Sequence, residues 1–392
     1  MITDAPTLVP RQREDERWVE REDEDALFRQ LRLTVRQSLA AEDAATPAAT
    51  LDPATAWQRL TDVGAWEFAL PIDVDGLDLG QAVLAMVCEE TGAARGAVPL
   101  LGTLTACELL TASPAGAGRD TALLDGIRSG EIAIAVPGRL PGPDGTAPTG
   151  LVRTVRRGTS TVSGIAGPFS VGVTPGALLL FLNTGPDTGS GATAAGPEPC
   201  VALLPLPAEG VTLRSLTDHG GGPCATAEFA DAPLPSPRVL LEGEAARTAL
   251  RRIGPRVAVQ QAALLTGLTA AALTAVVSRI RERRQFGQPL IKHQAPRLRV
   301  AGLLARLDAV RWAVGDAARD LDAGRLTPGE AAGLTALAAE TALDVTRDAV
   351  HLHGASGLAR DAVVAGCYRR VAWEALRCGR PTALWQTVAR TP

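Results

Sequence analysis

Aromatic side chains are scarce in this sequence. They make up 3% of the 392 residues, and only one of them is a tyrosine. Apolar residues nevertheless account for 46% of the chain, so the core must be built mainly from alanine, leucine and valine. Alanine and leucine favour helices, and the composition therefore predicts a largely helical protein that is long enough for two or three domains.

Signals for disulfides, export and membrane insertion are also missing. The six cysteines include no CxxC pair, which predicts small buried thiols rather than disulfides. The first 25 residues are highly charged, unlike a secretory leader. No uninterrupted run of 18 strongly apolar residues is present, so we expect no membrane span. Together these features favour a cytoplasmic protein.

Charge of one sign is not in excess. The chain has 39 lysines and arginines against 43 aspartates and glutamates, which gives a formal net charge of −4. Binding to nucleic acid is favoured by a strongly positive charge. The balance therefore predicts no nucleic-acid partner.

The composition divides the chain into three parts. Apolar residues recur at helical spacing in the first third, whereas short apolar runs alternate with glycine- and proline-rich turns in the middle. Long segments rich in alanine, leucine and valine follow and predict an antiparallel helical bundle. The predicted parts are a flexible N-terminus (1–17), an all-α domain (18–129), a β domain (130–240) and a C-terminal bundle (241–392).

The most informative segment joins the first two helices predicted for the bundle. Residues 282–290 read ERRQFGQPL, and Gln294 follows. The segment resembles the ER-x-x-FG-x-x-L-x-x-x-Q signature of the acyl-CoA dehydrogenase superfamily. That resemblance implies that Arg283, Phe286 and Gln294 contact FAD held by a neighbouring subunit, with the forked guanidinium suited to a diphosphate. We expect Gly287 and Pro289 to form the turn, and Gln294 to lie one turn into the next helix.

A second segment, residues 348–357, reads DAVHLHGASG. It is similar to the D-x-x-Q-x-x-GG-x-G segment of the same superfamily, except that His351 replaces the glutamine and Ala355 the second glycine. The resemblance implies that His351, Gly354 and Gly357 lie at the flavin diphosphate. Two histidines without a nearby cysteine or carboxylate at ligand spacing do not predict a metal site.

Weaker similarities occur in the same order elsewhere, at 57–64, 70–77, 89–92 and 229–235. With them the resemblance covers roughly residues 20–390. It implies an α+β multidomain fold of the acyl-CoA dehydrogenase type, with an N-terminal all-α domain, a middle β-barrel-like domain and a C-terminal four-helix bundle.

The chain departs from the superfamily where a catalytic base is expected. Removing an α-proton from an acyl thioester requires a carboxylate in a dry pocket. The position that usually supplies it falls on Cys378, and the alternative position in some relatives falls near Val257. Glu374 lies one helical turn before Cys378 and is the candidate substitute base. A thiolate at Cys378 is the other candidate.

The segments that resemble the flavin-ring cradle differ as well. The loop expected after the first strand is replaced by residues 135–141, which read AVPGRLP, and the strand expected to contact the ring by residues 168–170, which read PFS. Only Ser170 retains a side-chain hydroxyl that can donate to the flavin. The residues that the resemblance assigns to a neighbour's FAD are retained. Most of the residues that it assigns to the chain's own flavin ring are replaced.

This asymmetry predicts an acyl-CoA dehydrogenase-like oxidoreductase subunit that lacks the base. In this reading the chain works in a homo- or hetero-oligomer with a related chain, on a thioester of CoA or of a carrier protein. FAD is then shared with the partner, held by it, or lost. Two alternatives remain open: a diverged flavin-dependent oxidase or monooxygenase, and a flavin-free redox-neutral enzyme or scaffold.

Overall fold

The computed structural model describes residues 26–40, 51–111, 121–148, 150–156, 158–185, 198–216 and 223–390. The predicted flexible N-terminus, 1–17, lies outside these residues. The division into domains at the predicted boundaries stays a prediction, but the described elements follow the order helices, strands, helices.

The first helices form between residues 26 and 128. They are α1 (26–38), α2 (Pro53–Asp62), α3 (Gly80–Ala93), α4 (Leu100–Thr111) and α5 (Thr121–Arg128). Helix α2 starts where Asp52 accepts a hydrogen bond from the amide of Thr55 and a proline fills the first helical position. Helices α3 and α4 are buried on most sides, which agrees with the predicted all-α character of this region.

Two adjacent glutamates of α3 fix it against its neighbours. Glu90 pairs with Arg36 of α1 at 2.8 Å and also with Arg32. Glu89 accepts from Arg311 of the bundle at 2.6 Å and also pairs with Arg32. Both carboxylates are buried, and buried charges require such partners.

The strands form one eight-stranded mixed sheet in the order β6-β7-β3-β2-β4-β5-β8, with β1 paired to β4. They are β1 (Ile134–Ala135), β2 (Leu151–Arg156), β3 (Thr159–Ser170), β4 (Ala177–Thr184), β5 (Glu198–Pro205), β6 (Val211–Leu216), β7 (Cys224–Pro233) and β8 (Val239–Glu242). Strand β4 is a continuous apolar run because both of its faces are buried. Leu179 and Phe181 enter the helical core, whereas Leu178 and Leu180 enter the core on the other face.

The C-terminal part is a helical bundle around one long central helix. Its elements are α6 (Gly243–Glu282), a short hairpin of β9 (Arg284–Gln285) and β10 (Gln288–Pro289), α7 (Gln294–Asp322), α8 (Pro328–His353), α9 (Val363–Glu374) and α10 (Pro381–Arg390). Helix α6 packs against α3 on one side and against α7, α8 and α9 elsewhere. The predicted last helix, 361–378, ends four residues earlier as α9, and α10 follows after a turn.

Two glycines set the contact between α3 and α6. A Cβ on Gly267 would lie 2.0 Å from the carbonyl oxygen of Glu89, and a Cβ on Gly92 would lie 2.3 Å from that of Leu264. The helices therefore touch backbone to backbone at this crossing. This contact positions α3 against the part of α6 that borders the site described below.

Helix α6 is long and apolar enough, by length and composition alone, to span a membrane. However, 61% of its most apolar window is buried inside the fold. A helix at the centre of a bundle needs the same composition, since it is covered on several sides.

Candidate functional site

The segment between α6 and α7 forms an exposed hairpin. Strands β9 and β10 pair through Gln285 with Gln288 and Arg284 with Pro289. The two residues between them, Phe286 and Gly287, have φ of 50° and 80°, as a type I′ turn requires. The expectation that Pro289 forms part of the turn is therefore corrected: Pro289 lies in the returning strand.

The three residues that the resemblance assigns to a neighbour's FAD lie on this hairpin and its ends, which we call the arm (283–294). Arg283 ends α6, and its carbonyl oxygen accepts from the amide of Leu290 at 2.8 Å. Phe286 stands at the tip with 92% of its surface exposed, its ring edge-on to His293. Gln294 is the first residue of α7 rather than one turn into it, because a short 3-10 turn precedes the helix.

The glycine-containing loop after α8 lies at the same end of the bundle as the arm. Leu290 and Ile291 of the arm pack in one apolar cluster with Ala349, Val350 and other residues of α6, α8 and α9. The end of α8, after which the loop begins, therefore packs against the base of the arm. The fold brings these two predicted flavin-contacting segments together.

Each glycine of the loop has its own structural reason. Gly354 has φ 65° and ψ −147°, a conformation that is essentially restricted to glycine. A Cβ on Gly357 would lie 2.6 Å from the carbonyl oxygen of Val350, so this glycine lets the loop close on α8. His351 is exposed, whereas burial lowers the pKa of His353, whose Nδ1 lies 3.0 Å from the carbonyl oxygen of Ala349.

The candidate base positions lie elsewhere, around a small enclosed space between α3, α4, α6 and α9. We call it the inner cavity. Its lining includes Thr91, Leu100, Phe169, Ser170, Leu264, Arg370, Glu374 and Arg377. It borders helices α3 and α4 of the first third of the chain and helix α9, which precedes the base position at Cys378. Its volume is about 20 Å³, which is room for about one water molecule.

Glu374 is held in a buried ion cluster at this cavity. It is 2% exposed and lies 3.5 Å from the guanidinium of Arg370 and 4.0 Å from that of Arg377. The side-chain amide of Gln261 donates to its carbonyl oxygen at 2.8 Å and to its carboxylate at 3.3 Å. The Glu374 carboxylate is therefore already engaged by two guanidinium groups and an amide.

Both arginines of the cluster are anchored to backbone. Arg370 donates to the carbonyl oxygens of Arg95 and Gly96, the latter at 2.9 Å. Arg377 donates to that of Val136 at 2.8 Å and that of Gly138 at 3.1 Å. These bonds fix the cluster across the cavity, and therefore the cavity is filled by the chain's own side chains.

The other two base positions offer no proton acceptor at neutral pH. Burial raises the pKa of the Cys378 thiol to about 12, so it is protonated and is not a thiolate base. Val257 is buried in the apolar surface of α6. Glu374 is therefore the one carboxylate among the described residues that line the inner cavity. Its charge is already paired with Arg370 and Arg377.

A wider cleft of about 370 Å³ opens beside the inner cavity. Residues 137–139 and 165–168 form one wall, and Trp373, Arg377 and Arg380 lie on the other. We call it the ring cleft, since both segments expected to cradle a flavin ring border it. Ser170 does not line it: its hydroxyl donates to the carbonyl oxygen of Ala97 at 2.6 Å.

The donor set of the ring cleft does not match a flavin cradle. Among the described residues that line it, three are arginines and the others carry no side-chain hydroxyl or amide. Arg377 is committed to two backbone carbonyls. The arm differs, because its exposed guanidinium and amide have the chemistry that a diphosphate and a nucleotide require.

Sequence reasoning missed Arg370, Arg377 and Gln261. A signal was present: Arg370, Glu374 and Arg377 are spaced by four and three residues and therefore share one face of a helix. Gln261 left no local signal, since its partner lies 113 residues away. Among the described residues, no group of three or more His, Cys, Asp and Glu side chains is placed to hold a metal ion.

Comparison with known proteins agrees with this architecture. Residues 256–391 match the family described as acyl-CoA dehydrogenase, C-terminal domain. The solved butyryl-CoA dehydrogenase from Megasphaera elsdenii superimposes with a TM-score of 0.74 over 92% of this chain and 97% of its own, at 19% identity. The ChsE4-ChsE5 complex from Mycobacterium tuberculosis gives 0.71, with 94% and 97% coverage at 20% identity.

Sequence relatives cover shorter stretches. The acyl-[acyl-carrier-protein] dehydrogenase MbtN of Mycobacterium tuberculosis is 31% identical over 195 residues, which is 48% of this chain and 49% of that protein. The 3-(aryl)acrylate reductase of Clostridium sporogenes is 33% identical over 110 residues, 28% of this chain and 29% of its own. The chain thus matches about half or less of the length of these relatives.

Residues 256–391 are therefore similar to the C-terminal domain of acyl-CoA dehydrogenases, and the chain has the fold of solved acyl-CoA dehydrogenases. The predicted fold class is confirmed. The roles of individual site residues stay predictions.

Proposed function

We propose that this chain is the base-lacking subunit of a hetero-oligomer that carries out FAD-linked α,β-dehydrogenation of an acyl thioester. The observation on which this rests is the inner cavity, which has a volume of about 20 Å³ and contains the Arg370–Glu374–Arg377 cluster. Small-molecule sites usually measure about 300–1,000 Å³. The inner cavity therefore has no room for an acyl substrate.

The arm gives the chain a role in such an assembly. Arg283, Phe286 and Gln294 project from the bundle into solvent, and the end of α8 that precedes the loop at Gly354–Gly357 packs against the base of the arm. An exposed guanidinium can present its forked donors to a diphosphate on another molecule. In this proposal the partner subunit binds FAD, and the arm contacts its diphosphate and adenosine portions.

The bound flavin would supply the hydride acceptor of the reaction, and the partner subunit would supply the base and the acyl pocket. This chain's own residues contribute binding and orientation only. Cys378 stays protonated because burial raises its pKa to about 12, and Glu374 stays in its ion cluster. Neither takes part in proton transfer here.

The relatives support the substrate class and the assembly. MbtN is by name a dehydrogenase of acyl groups on a carrier protein, and ChsE4-ChsE5 is by name a complex of two chains. We include both properties, the thioester substrate and the assembly of two chains, in the proposal for this chain. The diverged oxidase or monooxygenase, by contrast, would need a flavin in the chain itself, and the ring cleft offers few groups to hold one.

Co-production with a related chain that carries the catalytic glutamate tests the proposal. The Arg283→Ala variant should lower the flavin retained by the purified assembly by about ten-fold, the scale of one charge-assisted hydrogen-bonded contact. The matched control is Arg325→Ala. Arg325 lies just beyond the far end of α7, which has 29 residues and is therefore about 43 Å long.

The outcomes separate the alternatives. Loss of flavin in Arg283→Ala with full retention in Arg325→Ala supports the arm's role. Equal flavin content in both variants contradicts it. An assembly that contains no flavin at all favours the flavin-free enzyme or scaffold.

A further inference from the structure

The ring cleft lies between two walls that the fold holds in place. One wall is the segment after β1 with the middle of β3, and the other is the end of α9 with the turn before α10. Arg377 joins them, since it donates to the carbonyl oxygens of Val136 and Gly138. The cleft is therefore preformed, and its volume of about 370 Å³ lies within the range of small-molecule sites.

The wall formed by β3 contains a β-bulge. Between Ala166 and Phe169, strand β3 has one residue more than its partner β7, and such bulges are frequent next to active sites. A Cβ on Gly167, inside the bulge, would meet no atom within 4 Å, so a ligand can approach the backbone closely here. Ile165 precedes the bulge and lines the cleft with 65% of its surface exposed. This wall therefore offers an accessible apolar surface.

The opposite wall is apolar as well. Trp373 is half-buried, and Leu376 is 40% exposed. The guanidinium carbon of Arg377 lies 6.0 Å from the centroid of the Trp373 ring, so one face of the indole is already covered. With Ile165, three large apolar side chains line a single concave surface. Such a surface favours a ligand that has an apolar body.

Each wall also carries an exposed arginine, Arg139 on one and Arg380 on the other. Among the described residues, neither side chain has a hydrogen-bond or ion-pair partner. None of the described residues that line the cleft is acidic. Two guanidinium groups without a compensating charge attract an anion, and their forked donors match the two oxygens of a carboxylate.

We infer that the ring cleft binds an organic carboxylate with an apolar body. The body lies among Ile165, Trp373 and Leu376, and the carboxylate accepts hydrogen bonds from Arg139 and Arg380. This ligand suits the arginines and the apolar side chains, whereas the cleft lacks the side-chain hydroxyls and amides of a flavin cradle. The inference does not rest on the proposed function, since it uses no residue of the arm, and flavin held by a partner subunit would leave this cleft available.

Isothermal titration of the purified full chain with phenylbutyrate tests the inference, because this probe has an aromatic body and one carboxylate. Phenylbutanol keeps the body without the charge, and acetate keeps the charge without the body. We expect one saturable site for phenylbutyrate and at least about ten-fold weaker binding of the other two. Riboflavin, which carries the flavin ring without a phosphate, should not bind.

A double variant that combines Arg139→Gln with Arg380→Gln tests the site of the carboxylate. It should weaken binding of phenylbutyrate at least about ten-fold and leave that of phenylbutanol unchanged. The matched control combines Arg156→Gln with Arg297→Gln, which removes the same charge at two exposed arginines that do not line the cleft. All four arginines are exposed, so thermal unfolding should be nearly the same in both double variants.

Ile165→Thr tests the site of the apolar body. The change keeps a β-branched side chain in the strand but removes apolar surface from the cleft. It should weaken binding of phenylbutyrate at least about four-fold, the scale of one methylene group withdrawn from apolar contact.

Weaker binding of phenylbutyrate in the Arg139/Arg380 variant and in Ile165→Thr, with an unchanged control, supports the site. The inference is overturned if phenylbutyrate shows no saturable binding, or if it binds no better than phenylbutanol. Equal losses in the two double variants also contradict it, because the effect would then come from net charge. Binding of riboflavin that Ile165→Thr weakens would identify the cleft as a flavin site instead.

Discussion

The guanidinium of Arg377 donates a hydrogen bond to the carbonyl oxygen of Val136 at 2.8 Å. The amide of Leu140 returns a bond of the same length to the carbonyl oxygen of Arg377. The turn after α9 is thereby fixed to the segment that follows β1. This contact lies between the inner cavity and the ring cleft, since Arg377 lines both.

Arg377→Met should destabilise the protein strongly. It removes two bonds to backbone carbonyls and leaves Glu374 with one arginine in a buried setting. The expected loss in the free energy of unfolding is about 3–5 kcal/mol. Urea unfolding measures it, with Arg380→Met as the control, because Arg380 is exposed and should cost less than about 1 kcal/mol. Similar losses for both variants would mean that Arg377 is not anchored as described.

Glu374→Gln should separate stability from catalysis. The variant keeps the volume but removes the charge that compensates Arg370 and Arg377, and we expect a loss of at least about 2 kcal/mol in the free energy of unfolding. Turnover of the assembled hetero-oligomer should be unchanged below its unfolding temperature. Loss of turnover with unchanged stability would instead identify Glu374 as the base.

Alkaline pH should destabilise the chain through its buried thiols. Burial raises the pKa of Cys107 and Cys378 to about 12 and that of Cys367 to about 11, from 9.0. The unfolded state then loses these protons at a lower pH than the folded state does. The contribution of these thiols to the free energy of unfolding is therefore fully present below pH 9. It is lost as pH rises towards their pKa values in the folded state.

Each such thiol contributes a slope of up to about 1.4 kcal/mol per pH unit. Thermal unfolding between pH 8 and about 10.5, below the range in which arginine titrates, measures the total slope. Cys378→Ala should reduce the slope of stability against pH by the contribution of one thiol. An identical slope in the variant would show that Cys378 is accessible in the folded state.

The crossing of α3 and α6 gives a steric prediction. Gly267→Ala would place a Cβ 2.0 Å from the carbonyl oxygen of Glu89, and backbone cannot move aside cheaply. We expect a loss of at least about 2 kcal/mol in the free energy of unfolding. Gly302→Ala, on the exposed face of α7 with nothing near its Cβ position, should stabilise the chain by up to about 1 kcal/mol. Equal effects would mean that the helices do not touch at Gly267.

Local patterns in the sequence predicted much of the fold. The apolar runs at Ile134 and Ala177–Leu182 are strands, and the segments rich in alanine and leucine are helices, because burial follows their periodicity. The break at residues 283–293 was also visible. The turn inside it was misplaced, because a left-handed Phe286 cannot be anticipated from a residue type that rarely adopts that conformation.

The interior of the candidate site was less visible. Ser170 kept the hydroxyl that a flavin contact needs, but its partner is the carbonyl oxygen of Ala97, 73 residues away. The burial of Arg370 and Arg377 follows only from the packing of α9 against α6 and against the segments at 95–96 and 136–138. Burial of charge depends on tertiary contacts that sequence spacing does not contain.

Flavin content of the purified full chain tests the central claim most directly. We predict a colourless protein, without flavin absorbance, when the chain is produced alone, and a yellow complex when it is produced with a related chain that carries the catalytic glutamate. A chain that purifies alone as a homo-oligomer with one flavin per subunit would contradict the account.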